Sequence, residues 1–488
     1  MDRSKYIFEN EISRKAYKKA VKTKAKFIGK YGDDSNTVYH LSAVTAPAIG
    51  KPLGVKKIVI SPQSGCNFNE KSLIIGNIRM GFGHYRISMA IASAAHAMGY
   101  EPYWFDLHSF RQSTCGKIIA EQNELYSLGS RLSQKFNLFN KLIWEPLNSE
   151  GFRKLTYNST DQMTAELMTS VFREIPKDIP YVATHVWPSQ AAVHAGLTHV
   201  VNAIPDNWPM ALHLSEGAIH TVQTPSSYLG YRALRGMDKK RQLRPMPKEA
   251  IVYTGHYIDH ELVSNITKDC AKRVERVKNG KAKRWLMSVG GAGAQKEIFI
   301  AVIRKLMPAI RSGKAVLFIN VGDHDRVWHE LITKLPEMKP FLHEHFDDFK
   351  STSEFCEKAY EGEVSGIHAF CHSDIFAAVY STNLLMRCSD VLITKPSELS
   401  FYPIPKLMIK RVGGHEAWGA IRSAEIGDGT YECTTPAETA AMIDMIQHGG
   451  DIIEKMCRHI ITAKEAGVYN GAYRAVELAV GKKCDIVK

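Results

Sequence analysis

The sequence lacks any pair of cysteines at the spacing of a redox motif or of half a zinc site. Its nine cysteines are scattered singly along 488 residues. Such a set is typical of small packing residues in a reducing compartment. The cysteines therefore indicate neither a disulfide framework nor a structural zinc site, and they favour a cytoplasmic protein.

Long apolar runs are also missing. No segment approaches the roughly 20 apolar residues that span a bilayer, and residues 1–5 are charged where a secretory signal would become apolar. We therefore expect neither a membrane span nor a secretory signal. Apolar residues make up 44% of the chain and charged residues 23%, which is ordinary for a globular protein. The length exceeds one hydrophobic core and predicts roughly two to four domains.

Acidic residues are too few to balance the basic ones, which leaves a net charge of +13. Such a charge favours nucleic acid, an anionic membrane surface or a phosphorylated small molecule as the partner. The sequence has no aromatic-basic RNA signature, no helix-turn-helix pattern and no zinc-finger spacing. We therefore expect no nucleic-acid partner.

Residues 1–30 hold a dense positive charge, with ten basic and three acidic side chains. Tyr17, Val21, Phe27 and Ile28 fall near one face at helical spacing. One interpretation is a solvated basic helix that packs one stripe on the body. The other is a helix that rests on anionic lipid headgroups, which would make the protein peripheral on the inner face of the membrane.

Two series of alternating strand-like and helix-like segments make up most of the chain. This alternation predicts an α/β fold with two Rossmann-like, doubly wound domains. We predict a basic helical extension and connector over 1–56, a first domain over 57–260 and a second over 284–470, with a helical insertion at 323–363. Strands are expected at 57–61, 72–78, 102–107, 181–184, 199–203, 218–223 and 250–253, and then at 284–289, 315–321, 366–370, 391–394 and 406–410.

Each series carries a glycine-rich turn after its opening strand, at 79–86 and at 288–295. Glycine lets a backbone approach a ligand closely, and the helix that follows directs free N–H groups at an anion. The small residues in these turns are Gly83, Gly290, Gly291, Gly293 and Ala294. Neither turn has the P-loop pattern or the full dinucleotide-binding pattern, which disfavours an NTPase and a dehydrogenase. Two such turns predict two half-sites that face one cleft.

Several short motifs then resemble one family. They are Gly81-Phe82-Gly83-His84, Thr254-Gly255, Gly290-Gly291, the segment 390–398 followed by Ile404-Pro405, and Gly414-His415-Glu416. In order and spacing they are similar to GT-B glycosyltransferases, in the group that includes monogalactosyldiacylglycerol synthase, processive diacylglycerol glucosyltransferases and the N-acetylglucosaminyltransferase that completes lipid II. The similarity covers residues 70–425 and is strongest at 389–420.

The resemblance implies a hexosyltransferase with the GT-B fold. It implies transfer of a hexose or N-acetylhexosamine from a nucleotide-sugar donor, in the first place a UDP-sugar, to a lipid or small-molecule acceptor. It also implies inversion at the anomeric carbon, binding of the donor mainly by the second domain, and no metal or other cofactor.

Donor chemistry gives the motif residues their expected roles. Backbone N–H groups at 290–294 would bind the diphosphate, and Lys395 would stabilise the departing nucleoside diphosphate. Glu398, which follows Ser397 at a helix start, would accept hydrogen bonds from both ribose hydroxyls. The alternative is a carboxylate that serves only the helix dipole.

Three further residues complete the predicted donor site. Ala369 and Phe370 lie where the family holds the base through main-chain groups, and Glu416 belongs to the last motif of the resemblance.

His84 is the predicted general base on the acceptor side, because an unperturbed imidazole is largely neutral near pH 7. The alternative is a histidine that only caps a helix. Asp206 is the second candidate base, although Asn202 stands where the family keeps threonine. Phe82 replaces a glycine that is usual in this loop and predicts a reshaped acceptor pocket.

The sequence also raises the questions of a metal site, an epimerase and a catalytically silent module. The pairs His256/His260 and His368/His372 lack a third ligand and a carboxylate at fixed spacing, so we expect no metal site there. A UDP-N-acetylglucosamine 2-epimerase shares the architecture but needs several acidic and basic residues in the cleft. A catalytically silent GT-B module that binds a nucleotide would keep the donor motifs and lose the acceptor-side base.

Overall fold

Two β-sheets, parallel except at one edge, organise the protein in the computed structural model. The structure describes residues 2–135, 150–290 and 295–483. Strands at the centre of both sheets are buried along their whole length. Continuous burial of this kind is what a parallel sheet between two layers of helices requires.

The first sheet has eight strands. In chain order they are β3 (Leu41–Thr45), β4 (Lys56–Ile60), β5 (Ser72–Asn77), β6 (Glu101–Asp106), β7 (Tyr181–Ala183), β8 (Val200–Ala203), β9 (Ile219–Val222) and β10 (Ile251–Tyr253). Their spatial order is β10-β9-β8-β7-β5-β6-β4-β3, and β3 is antiparallel to β4 while the other neighbours are parallel. Ile74 and Ile75 of β5 pack into two different cores, so both faces of this sheet are covered.

Helices surround this sheet, and a small antiparallel hairpin precedes it. The hairpin pairs β1 (Tyr6–Ile7) with β2 (Asn10–Glu11). The helices are α1 (Arg14–Tyr31), α2 (Gly50–Leu53), α3 (Gly83–Ala97), α4 (Thr114–Lys135), α5 (Leu155–Ala165), α6 (Val186–His194), α7 (Pro225–Arg232) and α8 (His260–Lys278).

The second sheet has six parallel strands. In chain order they are β11 (Lys283–Ser288), β12 (Ala315–Asn320), β13 (Leu342–Phe346), β14 (Gly366–Cys371), β15 (Val391–Thr394) and β16 (Lys406–Met408). Their spatial order is β13-β14-β12-β11-β15-β16. The accompanying helices are α9 (Lys296–Arg311), α10 (Asp325–Lys334), α11 (Phe349–Glu361), α12 (Ile375–Cys388), α13 (Ala417–Ile426), α14 (Pro436–His448), α15 (Asp451–Glu465) and α16 (Gly471–Val480).

The predicted fold class is confirmed, because the chain forms two Rossmann-like units whose strands end at a shared cleft, which is the GT-B architecture. Periodicity explains why the elements were recognisable. In α9, for example, Ile298, Val302 and Leu306 recur at helical spacing and are buried.

Two segments differ from the sequence-based expectation. Part of the predicted connector before residue 57 is strand β3, which forms the antiparallel edge of the first sheet. The predicted helical insertion at 323–363 contains α10 and α11, but between them lies strand β13, at the edge of the second sheet. The sequence of β13, Leu-His-Glu-His-Phe, is polar because this edge strand is only partly buried, and the apolar signal of a strand is therefore missing.

The last helix, α16, returns to the first half of the molecule. Its Ala472, Tyr473 and Val476 share a core with residues of α3. The crossing is tight: a Cβ atom on Gly471 would lie 2.1 Å from the carbonyl oxygen of Gly255, so only glycine fits there. The halves are therefore joined by two chain crossings, one through α8 and one before α16.

The basic helix α1 packs one stripe on the body. Ala20 and Phe27 are buried, and the Tyr31 hydroxyl donates to Glu121 Oε2 over 2.8 Å. Val21, which was expected on the buried stripe, is 43% exposed. The outer face carries the exposed cations Arg14, Lys15, Lys18, Lys19, Lys22 and Lys26.

Within the parts of the chain that the structure describes, no helix combines the length and the apolar character needed to cross a bilayer.

Candidate functional site

A cleft of about 520 Å³ lies between the two halves, at the carboxyl ends of both sets of parallel strands. Ligands bind at this edge of open α/β sheets. The first half contributes the turn after β5 and the loop after β8, and the second half contributes the turns after β11, β15 and β16. Helices α3 and α9 both start here, and no described side chain caps either N-terminus. Their first N–H groups are therefore placed to bind an anion.

His84 lies at the start of α3 and lines the cleft. Its Nδ1 is 2.6 Å from the carbonyl oxygen of Thr184, at the end of β7. Because a carbonyl can only accept, Nδ1 must carry the hydrogen, which leaves Nε2 with a free lone pair in the neutral ring. Burial lowers the pKa of His84, although the Thr184 hydrogen bond and the charges of Asp206 and Glu398 oppose this. The ring is thus held neutral, as a general base requires.

His185 is a second imidazole of the cleft, and the sequence analysis did not single it out. Its ring meets the ring of His84 edge-on, with centroids 4.8 Å apart. The backbone N–H of Trp187 donates to His185 Nδ1 over 3.1 Å, so in the neutral ring Nε2 carries the hydrogen. Burial lowers the pKa of His185 well below its usual value. A usable signal was its position directly after strand β7, where polar residues reach the cleft.

Asp206 also reaches the cleft, in the loop after β8. Its Oδ2 is 3.4 Å from Nε2 of His213, and Nδ1 of His213 is 2.7 Å from the Tyr231 hydroxyl. Burial lowers the pKa of His213 to about 4, although the charge of Asp206 opposes it. Asn202, at the end of β8, is used structurally, since its amide donates to the His213 carbonyl over 2.7 Å. His213 had no signal in the local sequence.

Lys395 and Glu416 form an ion pair on the second half of the cleft. Lys395 lies over Gly290, where a Cβ would be 3.0 Å from Lys395 Cε. The second oxygen of Glu416 accepts from the backbone N–H groups of Val412 and Gly413, at 2.7 and 3.2 Å. Burial would raise the pKa of Glu416, but Lys395, His415 and these hydrogen bonds lower it overall. Glu416 thus holds Lys395 and the 412–416 turn in place.

Glu398 begins the 3₁₀ turn Glu398–Phe401, and its side chain is 20% exposed. A Cβ on Gly83 would lie 3.1 Å from Glu398 Oε2, so the absence of a side chain there makes room for the carboxylate. Oε1 is 3.7 Å from Nε of Arg86. The carboxylate therefore lies where the two halves meet, with part of its surface open to the cleft.

Phe82 lines the cleft on the loop that carries His84. It packs against the second half, where a Cβ on Gly322 would lie 2.6 Å from the Phe82 ring, and its ring centroid is 5.4 Å from that of His324. Nearby, Arg79 Nη2 is 2.8 Å from Asp323 Oδ2. The loop that carries His84 is therefore fixed to the opposite half by its neighbours.

The structure brings most of the predicted site residues into one cleft. Those that line it are His84, Asp206, Gly83, Gly290, Lys395, Ser397, Glu398 and Glu416. It does not bring Ala369 and Phe370 there, because both are buried inside strand β14 and Phe370 stacks on His345. Gly291, Gly293 and Ala294 lie outside the described residues.

His256 and His260, which are spaced as a helical pair, contact different partners. His256 Nδ1 contacts the Phe401 carbonyl and His260 Nδ1 contacts the Tyr473 hydroxyl, at 3.0 and 2.7 Å. Among the residues in the described ranges, no three His, Cys, Asp or Glu side chains cluster in a way that could hold a metal ion.

Two family models match the chain. Residues 6–233 match the family described as Domain of unknown function (DUF6937), and residues 246–480 match Domain of unknown function (DUF6938). The gap between the two matches lies just before β10, the last strand of the first sheet. Among curated proteins, no sequence matches the chain significantly.

Several solved structures are similar over most of the chain. The UDP-GlcNAc 2-epimerase of Neisseria meningitidis bound to UDP-GlcNAc is 12% identical with a TM-score of 0.44, over 84% of this chain and 100% of that one. The UDP-forming α,α-trehalose-phosphate synthase of Burkholderia vietnamiensis is 10% identical with a TM-score of 0.43, over 85% and 98%. A glycosyltransferase of Rickettsia africae is 12% identical with a TM-score of 0.38, over 84% and 96%.

Proposed function

We propose that this chain is a glycosyltransferase that moves a hexose or an N-acetylhexosamine from a UDP-sugar to a hydroxyl group of a lipid or small-molecule acceptor. In this proposal the transfer inverts the anomeric configuration and uses no bound metal ion. The observation that supports it most is that His84, with its free Nε2, shares one cleft with Gly290, Lys395 and Glu398 of the opposite half.

The proposed step is a direct displacement at the anomeric carbon. The acceptor hydroxyl gives its proton to His84 Nε2 while its oxygen forms a bond to that carbon. The bond between the anomeric carbon and the phosphate oxygen breaks, and its electron pair leaves with UDP. Lys395 and the open N-terminus of α9 stabilise the charge that develops on the leaving diphosphate.

A thermal-unfolding screen of UDP-sugars, followed by an assay of UDP release, tests this function. A UDP-sugar at about 100 times its Kd adds ~2.7 kcal/mol to the free energy of unfolding. Release of UDP that depends on an added acceptor alcohol supports transfer. A protein that is stabilised by none of the common UDP-sugars has no donor site of the proposed kind.

The pH dependence of the rate should follow His84. Burial keeps the pKa of His84 below its usual 6.5, and a base acts only when unprotonated. As the pH falls, kcat/KM should therefore decline along an acidic limb whose midpoint lies below 6.5. A profile of kcat/KM against pH measures this. An acidic limb with its midpoint at or above 6.5 would show that another group limits the reaction.

A UDP-sugar 2-epimerase is the second candidate. It is favoured by the mixture of acidic and basic side chains in the cleft, where Asp206, Glu398 and Glu416 lie with Arg86 and Lys395. Epimerisation at C2 must remove the proton on that carbon, whereas transfer leaves it in place. Incubation with UDP-N-acetylglucosamine in D₂O therefore separates the two. Deuterium at C2 of the recovered sugar nucleotide supports the epimerase, and its absence during UDP release supports transfer.

The anionic membrane surface belongs to this proposal as the place where a lipid acceptor would be met. Four exposed lysines of α1, namely Lys15, Lys18, Lys19 and Lys22, face outward. Each basic residue near an anionic surface contributes about 1 kcal/mol before screening. Replacing all four by glutamine should therefore weaken binding to anionic vesicles by up to about a thousandfold at low salt. Vesicle co-sedimentation measures this.

The matched control replaces four exposed lysines of the second half by glutamine. These are Lys334, Lys339, Lys350 and Lys358. This variant has the same net charge as the first and should keep its affinity for vesicles. An equal loss of vesicle affinity in both variants would show that net charge alone, and not the position of the lysines, determines the binding. A wild-type protein that ignores anionic vesicles would make a soluble acceptor the better proposal.

A further inference from the structure

Arg86 is a buried cation that links the two halves of the molecule. It lies on α3, two residues after His84, and it is 2% exposed. Its hydrogen-bond acceptors all belong to α12 of the opposite half. Nη1 donates to Asn383 Oδ1 over 3.0 Å and to the Val379 carbonyl over 3.4 Å, and Nη2 donates to Thr382 Oγ1 over 3.3 Å.

The third nitrogen of the guanidinium, Nε, makes no hydrogen bond to α12. Nε has no hydrogen-bond partner among the described residues, and Glu398 Oε1 is 3.7 Å from it. A buried charge is costly unless an opposite charge compensates it. The carboxylate that is predicted to accept the ribose hydroxyls is therefore also the counter-charge of Arg86.

A second carboxyl group, Asp259, lies close enough to Arg86 to interact with it. Burial raises the pKa of Asp259 to about 7, and the Tyr402 hydroxyl donates to its Oδ2 over 3.2 Å. The charge of Arg86 opposes this rise. Glu398 differs from Asp259 because it is partly exposed and lines the cleft.

We propose that Arg86 is a positioning residue that fixes the Glu398 carboxylate in the orientation needed to bind the ribose diol of the donor. This inference rests on the proposed function. Arg86 approaches Oε1 from the side of α3, Gly83 leaves space beside Oε2, and the rest of the carboxylate is open to the cleft. A carboxylate held in this way loses little conformational entropy when it accepts hydrogen bonds from two hydroxyl groups.

The test measures the preference for a diol, defined as the Kd of 2′,3′-dideoxy-UDP divided by the Kd of UDP. In Arg86→Met this ratio should fall by about tenfold from its wild-type value, because the charge-assisted hydrogen bonds to the ribose weaken. Arg86→Lys keeps the charge and should retain most of the ratio. Calorimetric titration of the full chain gives both constants, and the ratio does not depend on the fraction of folded protein.

Two further variants serve as controls, one for misfolding of Arg86→Met and one for the loss of a contact between the halves. Asn383→Ala removes the 3.0 Å acceptor that orients Arg86 and should lower the ratio even if Arg86→Met does not fold. Arg79→Met breaks another arginine contact between the halves, at 2.8 Å to Asp323, and should leave the ratio unchanged.

The outcomes separate this inference from the proposed function. If both ligands lose affinity equally in Arg86→Met and Asn383→Ala, Arg86 only holds the halves together and the positioning role is overturned. If the wild-type protein binds UDP and 2′,3′-dideoxy-UDP equally, or binds neither, the donor site itself is wrong.

Discussion

Replacing His84 by alanine is expected to lower the turnover number by about 10²–10⁴-fold, which is the usual contribution of a positioned general base. The lone pair of His84 Nε2 is the group that takes the acceptor proton, and the Thr184 carbonyl fixes it by holding the hydrogen on Nδ1. Affinity for UDP should hardly change, because Gly290, Lys395 and Glu398 lie on the other half. Steady-state kinetics and calorimetry of the same preparation measure the two quantities.

His96→Ala is the matched control, because His96 is an exposed histidine near the other end of the same helix. It should leave turnover unchanged. A fully active His84→Ala variant would transfer the role of base to Asp206, which lies in the same cleft beside His213. If the wild-type protein binds a UDP-sugar but neither transfers nor hydrolyses it, the chain is a silent nucleotide-binding module.

Glu398→Ala is expected to weaken the binding of UDP by roughly 2–4 kcal/mol, because two charge-assisted hydrogen bonds to the ribose are lost. The carboxylate has one oxygen beside Gly83 and the other toward Arg86, so it lies where the two halves meet. Calorimetric titration with UDP measures the loss. The midpoint temperature of thermal unfolding without ligand should also fall, because Arg86 loses its counter-charge.

Glu425→Ala provides the comparison, because Glu425 is an exposed glutamate on α13. Its affinity for UDP should equal that of the wild-type protein. Unchanged UDP affinity in a folded Glu398→Ala variant would remove Glu398 from the donor site and leave it only a role at the start of its 3₁₀ turn.

Much of the fold could be predicted from local patterns. The bounds of β15 agree with the predicted segment 391–394, because this strand lies in a buried layer and carries a clear apolar signal. Strands β3 and β13 lie at sheet edges, where partial burial allows polar residues. Their sequences therefore carry only a weak apolar signal. Edge strands therefore account for the main differences in the fold.

The candidate site likewise contains residues that could be predicted from the sequence and residues that could not. Residues in continuous motifs after a strand, such as His84, Lys395 and Glu398, were predicted and do line the cleft. Arg86 was missed because its burial depends on α12, nearly 300 residues later in the chain. His213 was missed because it lies in a short 3₁₀ helix (Ala211–His213) without a motif, and only the folded chain brings it beside Asp206.

The return of α16 to the first half has a consequence for any attempt to dissect the protein. A fragment that ends between the two family matches, after residue 233, would lack both β10 and the helix that covers α3. Such a fragment would expose an apolar surface that the intact chain buries, and it would aggregate. Conversely, if a protease cleaves the loop between 234 and 247, the packing of α16 on the first half should keep the two pieces together. The two matched regions are therefore held together by packing as well as by the chain, since α16 of the second covers α3 of the first.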